Sequence, residues 1–369
     1  MVEWLAGNRI SGTSAERATG TGFPVTGISG GWKEVARTTL GSTTKPITVS
    51  SIPDKRYYMF MIDMQKSGNA TSQIRFGSGS TDTGNNYADR CSYDGVSDGT
   101  RVSVSSIEIA TANAGVSDFM VGYISNLSTK EKYVQLHWAY NGAIGAGTLP
   151  SRAEKVGKWS NLSNPLDILE LYNSQSGNYL SGSEVVVLGC DEDDTHTDNF
   201  WEELASVNAS GSSTTLDSGT FTAKKYLWVQ IYLEGASNLT TELFRYNNDS
   251  TNSYSQRSQR NGAKPDTTNI NISHGNVNVT GGAEQKGLFY NGFIINNSAN
   301  EKLAIYHGVG QNTAGAGTAP VRVENVHKWV RTSGSGTGDA SSQITRLTIL
   351  QDNSVNFGSS SIIKVWGHN

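Results

Sequence analysis

The strongest constraint on this 369-residue chain is that part of its sequence occurs twice. Residues 122–159 align with residues 292–329 without a gap, and 17 of the 38 positions are identical. The identical positions include the run Gly-Ala-Gly-Thr, which begins at Gly145 in one copy and at Gly315 in the other. A period this long indicates a duplicated domain, because solenoid repeats span only about 20–50 residues. A doubled scaffold favours assembly or binding over catalysis.

The duplication extends into the flanking sequence. Residues 55–60 match residues 224–229 as segments rich in aromatic and apolar side chains, and residues 87–95 match residues 254–262. The last two segments end in Asp-Gly and Asn-Gly, which are strong signals for a tight turn between strands. These matches predict that each repeat has the same order of strands and turns.

The local pattern predicts an all-β protein. Apolar and polar residues alternate along residues 134–138, where Val134, Leu136 and Trp138 are separated by Gln135 and His137. This alternation is typical of a strand with one buried face. Similar short segments separated by turns predict roughly eight to ten strands per repeat. The exception is residues 199–205, which could form one or two helical turns with Asp198 as the cap. The expected architecture is two tandem antiparallel β-sandwich, jelly-roll-like domains; immunoglobulin-like and lectin-like sandwiches remain alternatives.

The chain divides into four predicted parts. Residues 1–31 form an N-terminal arm, and residues 32–190 form the first β-sandwich domain. Residues 191–200 form an acidic linker, and residues 201–369 form the second β-sandwich domain, the duplicate of the first. Two domains are the ordinary expectation for a chain of this length.

The N-terminal arm is rich in Gly, Thr and Ser and has too few apolar residues for a core of its own. Its apolar side chains include Trp4, Leu5, Ile10 and Phe23. We expect them to contact a partner subunit; packing of the arm on its own domain is the alternative.

Composition excludes several classes of protein. With 17% charged residues and a net charge of −4, the chain has no general attraction for phosphate, so nucleic acid is not an expected partner. We find no secretory signal and no run of 18 apolar residues, so no membrane partner is expected either. Cys91 aligns with Ser258, which argues against a disulfide framework and predicts that Cys91 and Cys190 are buried or half-buried thiols.

Candidate metal ligands are few. His137 and His307 occupy equivalent positions, but a metal site needs three or four converging ligands, and neither has a His or Cys close by in sequence. The acidic linker offers Asp191, Asp193 and Asp194 as calcium ligands, although it lacks the spacing of an EF-hand. A solvated linker is the alternative, and no cofactor is expected.

Two polar loops are candidates for binding sugars. They precede Tyr87 and Tyr254 in the two repeats and are rich in Asp, Asn, Ser and Gly. Tyr87, Tyr93 and Tyr254 are the aromatic rings that could stack on a glycan, whereas plain turn chemistry is the alternative. No nucleophile elbow or Ser-His-Asp set recurs in both repeats, so we do not expect an enzyme.

Several motifs together resemble a known group of proteins. They are Lys-Arg-Tyr-Tyr from Lys55, Arg75-Phe76, Asn-Tyr-Ala-Asp-Arg from Asn86, Asp94-Gly95, Gly-Ala-Gly-Thr-Leu-Pro-Ser-Arg from Gly145, and Trp-Leu-Ala-Gly-Asn-Arg-Ile from Trp4. This combination resembles uncharacterised virion structural proteins of marine bacteriophages and archaeal viruses. The resemblance implies a tail, fibre or head-surface component located in the virion after synthesis in the host cytoplasm. It supplies no catalytic motif.

The sequence therefore predicts a structural protein of the virion surface, such as a head decoration or cement protein, a capsid-associated protein or a tail protein. It is expected to act as a trimer or another cyclic homo-oligomer and to contact other virion proteins, such as the major capsid protein. One alternative is a glycan-binding adhesin of a tail or fibre, whose partners would be host surface glycans. The other is a double jelly-roll major capsid protein.

Overall fold

The structure is a computed structural model, and all structural statements concern the residues that it describes. These residues are 31–96, 98–112, 117–191, 194, 198–235, 242–263, 265–276, 287–311, 316–332, 338–339, 341–351 and 354–369. Every regular element among them is a strand, and no helix there is long and apolar enough to cross a membrane. The predicted all-β fold is confirmed.

The first repeat contains thirteen strands among the described residues. They are β1 (Lys33–Thr39), β2 (Ile47–Val49), β3 (Tyr57–Gln65), β4 (Ala70–Ser78), β5 (Ser80–Thr81), β6 (Tyr87–Tyr93), β7 (Gly99–Val104), β8 (Ile107–Ala112), β9 (Ser117–Ser125), β10 (Lys132–Asn141), β11 (Pro150–Trp159), β12 (Ile168–Asn173) and β13 (Glu184–Cys190).

The second repeat contains fourteen strands in the described part of the chain. They are β14 (Glu202–Asn208), β15 (Thr215–Asp217), β16 (Tyr226–Leu233), β17 (Glu242–Tyr246), β18 (Tyr254–Arg260), β19 (Thr267–Ile272), β20 (Gly275–Asn276), β21 (Gly287–Ile295), β22 (Lys302–Gln311), β23 (Val321–Trp329), β24 (Arg331–Thr332), β25 (Gly338–Asp339), β26 (Leu347–Gln351) and β27 (Ile362–His368).

Strand order identifies each repeat as a jelly roll. In the first repeat one sheet contains the order β1-β13-β3-β9, and the other contains β2-β12-β4 with β8 paired to β4. The second repeat has the same two orders, β14-β27-β16-β21 and β15-β26-β17-β20. In each case the first strand lies beside the last and the second beside the next to last, which is the double Greek key of a jelly roll. The tandem β-sandwich prediction is confirmed, and the strand order selects the jelly roll among the alternatives.

Each jelly roll carries the same four-strand extension of its larger sheet. Strands β10, β11, β6 and β7 follow β9 in the first repeat, and β22, β23, β18 and β19 follow β21 in the second. The extension comes from two antiparallel hairpins, β6–β7 and β10–β11, inserted into different loops of the jelly roll. These hairpins contain most of the residues that the sequence repeats.

The cores of the two repeats are packed with aromatic and branched side chains. Val134, Leu136 and Trp138 are all buried, as their alternation predicts. A glycine is needed at one equivalent position in both repeats, because the neighbouring strand places a ring against it. A Cβ atom on Gly122 would lie 2.2 Å from the ring of Phe60, and a Cβ on Gly292 would lie 2.1 Å from the ring of Tyr306.

The predicted helical turn at residues 199–205 is wrong. Residues from Glu202 onward form β14, which is the first strand of the second jelly roll and lies beside β27. Leu204 and Val207 of this strand pack against the core of the second repeat. Tertiary packing of these apolar residues therefore overrides the local preference for helix.

The chain forms two compact units whose boundaries differ from the predicted domains at two places. The main division lies between Glu202 and Glu203, close to the predicted start of the second domain at residue 201. Residues 93–97 and 139–152 of the first repeat, however, belong to the second unit. The predicted range 32–190 therefore includes two segments that pack with the second repeat. Both are hairpin ends, and their contacts are described below.

Candidate functional site

The two predicted sugar-binding loops form the same internal anchor in both repeats. Asp82 accepts a hydrogen bond from the indole Nε1 of Trp159 at 2.8 Å, and the Tyr87 hydroxyl donates to the backbone oxygen of Asp82 at 2.9 Å. In the second repeat, Trp329 and Tyr254 bind Asp249 in the same way, at 2.9 and 3.0 Å. The loops are therefore tied to the core by polar contacts to buried rings.

This geometry corrects the predicted role of the tyrosines. Tyr87 and Tyr254 are fully buried, so neither ring has a free face on which a sugar could stack. Each hydroxyl also accepts a backbone N–H, from Phe76 and Tyr246 respectively, both at 2.9 Å. Tyr93 is half-buried at the end of β6. Tyr87 and Tyr254 therefore offer no stacking face, and a role for Tyr93 stays a prediction.

The anchors predict a loss of stability in acid. Burial alone would raise the pKa of Asp82 and Asp249, but hydrogen bonds to Trp159, Trp329 and neighbouring donors outweigh it and lower both pKa values. Their contribution to stability is complete above the ordinary aspartate pKa of about 4 and is lost as the pH falls through the lower folded values. We expect the free energy of unfolding to fall as the pH drops below about 4.

Urea titrations at a series of pH values test this expectation. The double variant Asp82→Asn, Asp249→Asn should be less stable at neutral pH and should depend less steeply on pH in the acid range. An acid slope equal to that of the unmodified protein would contradict the assignment of this stability to the anchors.

The acidic linker does not present an open calcium site among its described residues. Asp191 and Asp194 both bind the ammonium group of Lys55, and the distance from Lys55 Nζ to Asp191 is 2.9 Å. Burial lowers the pKa of Lys55, but the hydrogen bonds to these carboxylates outweigh it and raise that pKa. A lysine thus occupies the position expected for a cation. Asp193 lies outside the described residues.

Other predicted positions have simpler outcomes. The arm residues Trp4, Leu5, Ile10 and Phe23 lie outside the described residues, so their contact with a partner stays a prediction. Cys91 is buried and Cys190 is half-buried, as predicted, and neither forms a disulfide. His137 and His307 are half-buried strand residues of β10 and β22.

The end of the β10–β11 hairpin, residues 139–152, is bound within the second compact unit. We call it the first hairpin end, and we call the residues of the second repeat that bind it the receiving surface. Four of its carbonyl oxygens accept hydrogen bonds: Ala143 from Lys328 Nζ (3.1 Å), Ala146 from Asn271 N (3.0 Å), Thr148 from Ser255 Oγ (2.9 Å) and Pro150 from Arg257 Nε (3.0 Å). Polar contacts thus follow the whole Gly-Ala-Gly-Thr loop.

Arg152 makes the central ionic contact of the receiving surface. Its side chain is only 4% exposed and donates to Asp266 Oδ2 at 2.9 Å and to Glu324 Oε2 at 3.1 Å. Its backbone N–H donates to Asp94 Oδ1 at 2.9 Å, and Asp94 also pairs with Arg257 at 3.2 Å. The Asp94–Gly95 turn therefore joins the same network of charges.

A second buried pair lies beside the Gly-Ala-Gly-Thr loop. Glu301 accepts the backbone N–H of Gly145 and lies 3.8 Å from Lys328. Burial raises the pKa of Glu301 against the attraction of Lys328, and it lowers the pKa of Lys328 against the attraction of Glu301. The loss of water around Glu301 and Lys328 therefore affects their pKa values more than their mutual attraction does.

The second repeat carries the same loop sequence in an exposed state. The side chain of Arg322 is 59% exposed, whereas that of its equivalent Arg152 is 4% exposed. Residues 316–320 are exposed, whereas Ala146 and Pro150 of the first copy are buried. One sequence therefore exists in a bound and an exposed form. The sequence alone shows the two copies but not this difference in environment.

The receiving surface holds the first hairpin end through complementary polar groups. These groups are backbone carbonyls, carboxylates, arginines and a lysine. Arginine with paired carboxylates in a buried setting gives orientation and specificity rather than chemical reactivity. The sequence shows that the Gly-Ala-Gly-Thr loop is repeated but gives no sign of the groups that bind it.

Comparison with known proteins gives no family. No protein-family model matches the chain, and no curated protein matches it. Similar solved structures include Ail of Yersinia pestis (5% identity, TM-score 0.12, 71% of this chain and 98% of that one) and Neisserial surface protein A (6%, 0.11, 80% and 96%). A human GIVD cytosolic phospholipase A2 structure has 7% identity and a TM-score of 0.13, with coverage of 78% and 34%. Likeness at this level carries no argument about this chain.

Proposed function

We propose that this protein is a structural component of a virus particle surface that acts through homo-oligomeric assembly. The observation that carries the proposal is the duplicated jelly roll, in which the fold and the loop anchors repeat whereas Cys91 and the acidic linker do not. Jelly rolls are frequent in viral capsid proteins. The jelly-roll fold therefore supports a role in a virus particle by analogy between folds. The sequence resemblance to virion proteins supports the same assignment.

The proposal places the protein in the virion, as a decoration, cement or capsid-associated protein of the head or as a tail protein. Its partners are further copies of itself and other virion proteins, such as the major capsid protein. A trimer of a two-repeat chain presents six similar jelly rolls, which matches a sixfold position of a capsid lattice. Neither catalysis nor a cofactor forms part of this role.

A second candidate function is a double jelly-roll major capsid protein. The observation that favours it is that both repeats have the complete strand order of a jelly roll within one chain. In that case the protein forms the shell itself rather than a layer on it.

The copy number of the protein per particle tests these proposals. Quantitative mass spectrometry of purified virus particles from the source culture should detect the chain in a constant ratio to other particle proteins. Hundreds of copies indicate a head lattice, a shell or a tail tube, and a few dozen indicate a vertex or fibre. Absence from particles that are produced while the protein is expressed would refute the proposal.

A further inference from the structure

The first repeat contains its own version of the receiving surface. Arg90 in β6 pairs with Thr100 of β7, and Arg257 in β18 pairs with Thr268 of β19. The two arginines are therefore equivalent. Counting back two residues from each threonine matches Asp98 with Asp266. The sequence alignment likewise matches Glu131 and Lys158 with Glu301 and Lys328. The charged groups that bind the first hairpin end are therefore present twice.

The backbone of this second version also has the required shape. Asn271, whose N–H donates to Ala146, has a φ of 52°, and its equivalent Ser103 has a φ of 51°. A positive φ is uncommon for residues other than glycine, so its repetition shows that the same local conformation is preserved. The N–H of Ser103 therefore lies in a strand end with the same local conformation as that of Asn271, whose N–H binds the loop in the second repeat.

The two versions differ in exposure. The side chain of Asp98 is 48% exposed, whereas Asp266 is completely buried beneath Arg152. Lys158 is 44% exposed, whereas Lys328 is completely buried. In the described part of the chain, one receiving surface is therefore occupied and a second is exposed, and an exposed copy of the binding element is also present.

We propose that residues 316–322 of one copy of this protein bind the receiving surface of the first repeat of a second copy. The contact would repeat the internal one: Arg322 pairs with Asp98, Arg90 donates to the carbonyl of Pro320, and the N–H of Ser103 donates to the carbonyl of Ala316. This inference rests on the homo-oligomeric part of the proposed function and names the surfaces that perform it.

The sequence also indicates that this contact is weaker than its internal template. Ala88 stands where Ser255 donates its hydroxyl hydrogen bond, so one hydrogen bond is missing. Asn261 stands where Asp94 pairs with Arg257, so one ion pair is missing as well. An internal contact of full strength and a weaker external one suit a protein that folds first and assembles afterwards.

The symmetry of the assembly follows from the surfaces used. The binding element and the receiving surface are different parts of the chain, so the contact is heterologous and joins copies head to tail. Such contacts produce a closed ring when the rotation closes and a filament when it does not. In a ring or a filament, the proposed contact between copies would resemble the internal contact of the first hairpin end.

A charge exchange between Arg322 and Asp98 tests the proposal on the full-length protein. The variants Arg322→Glu and Asp98→Arg should each raise the dissociation constant of self-association by at least about tenfold, because like charges then face each other across the contact. The double variant Arg322→Glu, Asp98→Arg should restore association, since positions 322 and 98 again carry opposite charges across the contact. Sedimentation velocity over a range of concentrations measures all three.

The controls separate this inference from the proposed function. Glu203→Arg changes the charge as much as Asp98→Arg on an exposed residue of β14 outside the surface, and it should leave association unchanged. Circular dichroism must show each variant folded. Oligomers that withstand both single variants, or that the double variant does not restore, would overturn the inference and leave assembly intact. A protein that stays monomeric would overturn the inference and the homo-oligomeric role together.

Discussion

Replacement of Arg152 by alanine is expected to lower the free energy of unfolding of the second compact unit by about 3–5 kcal/mol. Arg152 pairs with Asp266, which is completely buried, and with Glu324, which is 8% exposed. Removal of the guanidinium group leaves the buried carboxylate of Asp266 without this cation and leaves Glu324 paired with the exposed Arg322. Such a change costs far more than the net stability of the intact pair, because the charge that remains cannot be hydrated.

The duplication supplies a matched control for this prediction. Arg322 occupies the equivalent position, pairs with the same Glu324 at 3.2 Å and is 59% exposed. Arg322→Ala should change stability by less than about 1 kcal/mol, because water replaces the lost contact. Guanidinium denaturation should be followed separately for each unit, since two units need not unfold together. Equal losses in the two variants would show that burial of Arg152 has no energetic importance.

The strands and turns of the fold were largely predictable because their signals are local. The Asp94-Gly95 and Asn261-Gly262 turns have positive φ values at both residues, as their sequences predict. The alternation of Val134 with its neighbours likewise gives the buried face of β10 correctly. Periodicity and turn chemistry depend on a few adjacent residues, so one sequence is enough to read them.

The order of the strands could not be predicted, because pairing joins distant segments. β1 pairs with β13, and nothing in either sequence specifies the other. The same limitation explains the wrong helical prediction at residues 199–205. Trp201 and Glu203 match Trp32 and Glu34, and a strand follows the tryptophan in both repeats, so strand pairing and not local helical propensity determines the structure here.

The candidate site was predicted least well, because it depends on which groups are covered. Tyr87 and Tyr254 carry a polar hydroxyl and follow polar loops, which is typical of exposed binding residues as well as of buried anchors. Their hydroxyls donate to the backbone oxygens of Asp82 and Asp249. The carboxylates of these aspartates accept the indole N–H of Trp159 and Trp329, which are distant in sequence. Likewise Arg152 and Arg322 have similar sequence environments and opposite exposure.

The first repeat contains a buried ion pair that the second repeat replaces with apolar groups. Lys66 and Asp118 form a salt bridge in which both side chains are completely inaccessible to solvent. Lys66 forms a β-bridge with Tyr179, whose hydroxyl donates to Ser72 at 3.0 Å. A polar cluster therefore lies inside the first jelly roll.

The described residues at the equivalent place in the second repeat form no such cluster. Gly235 occupies the position of Lys66 and forms a β-bridge with Phe357, which is completely buried. Leu288 occupies the position of Asp118, as the registers of β9 on β3 and of β21 on β16 show. The same jelly roll thus folds with either solution, so the architecture does not require the ion pair.

Replacement of Lys66 by methionine should therefore lower the free energy of unfolding by about 3–5 kcal/mol, and Asp118→Leu should cost a similar amount. Each single variant leaves one charge in a site without water. The double variant Lys66→Met, Asp118→Leu removes both charges and should recover most of the loss, because apolar replacement of a buried pair is often neutral or stabilising. A double-mutant cycle measured by denaturant unfolding gives the coupling directly. Additive losses in the double variant would contradict this account and would mean that the two side chains stabilise the fold independently.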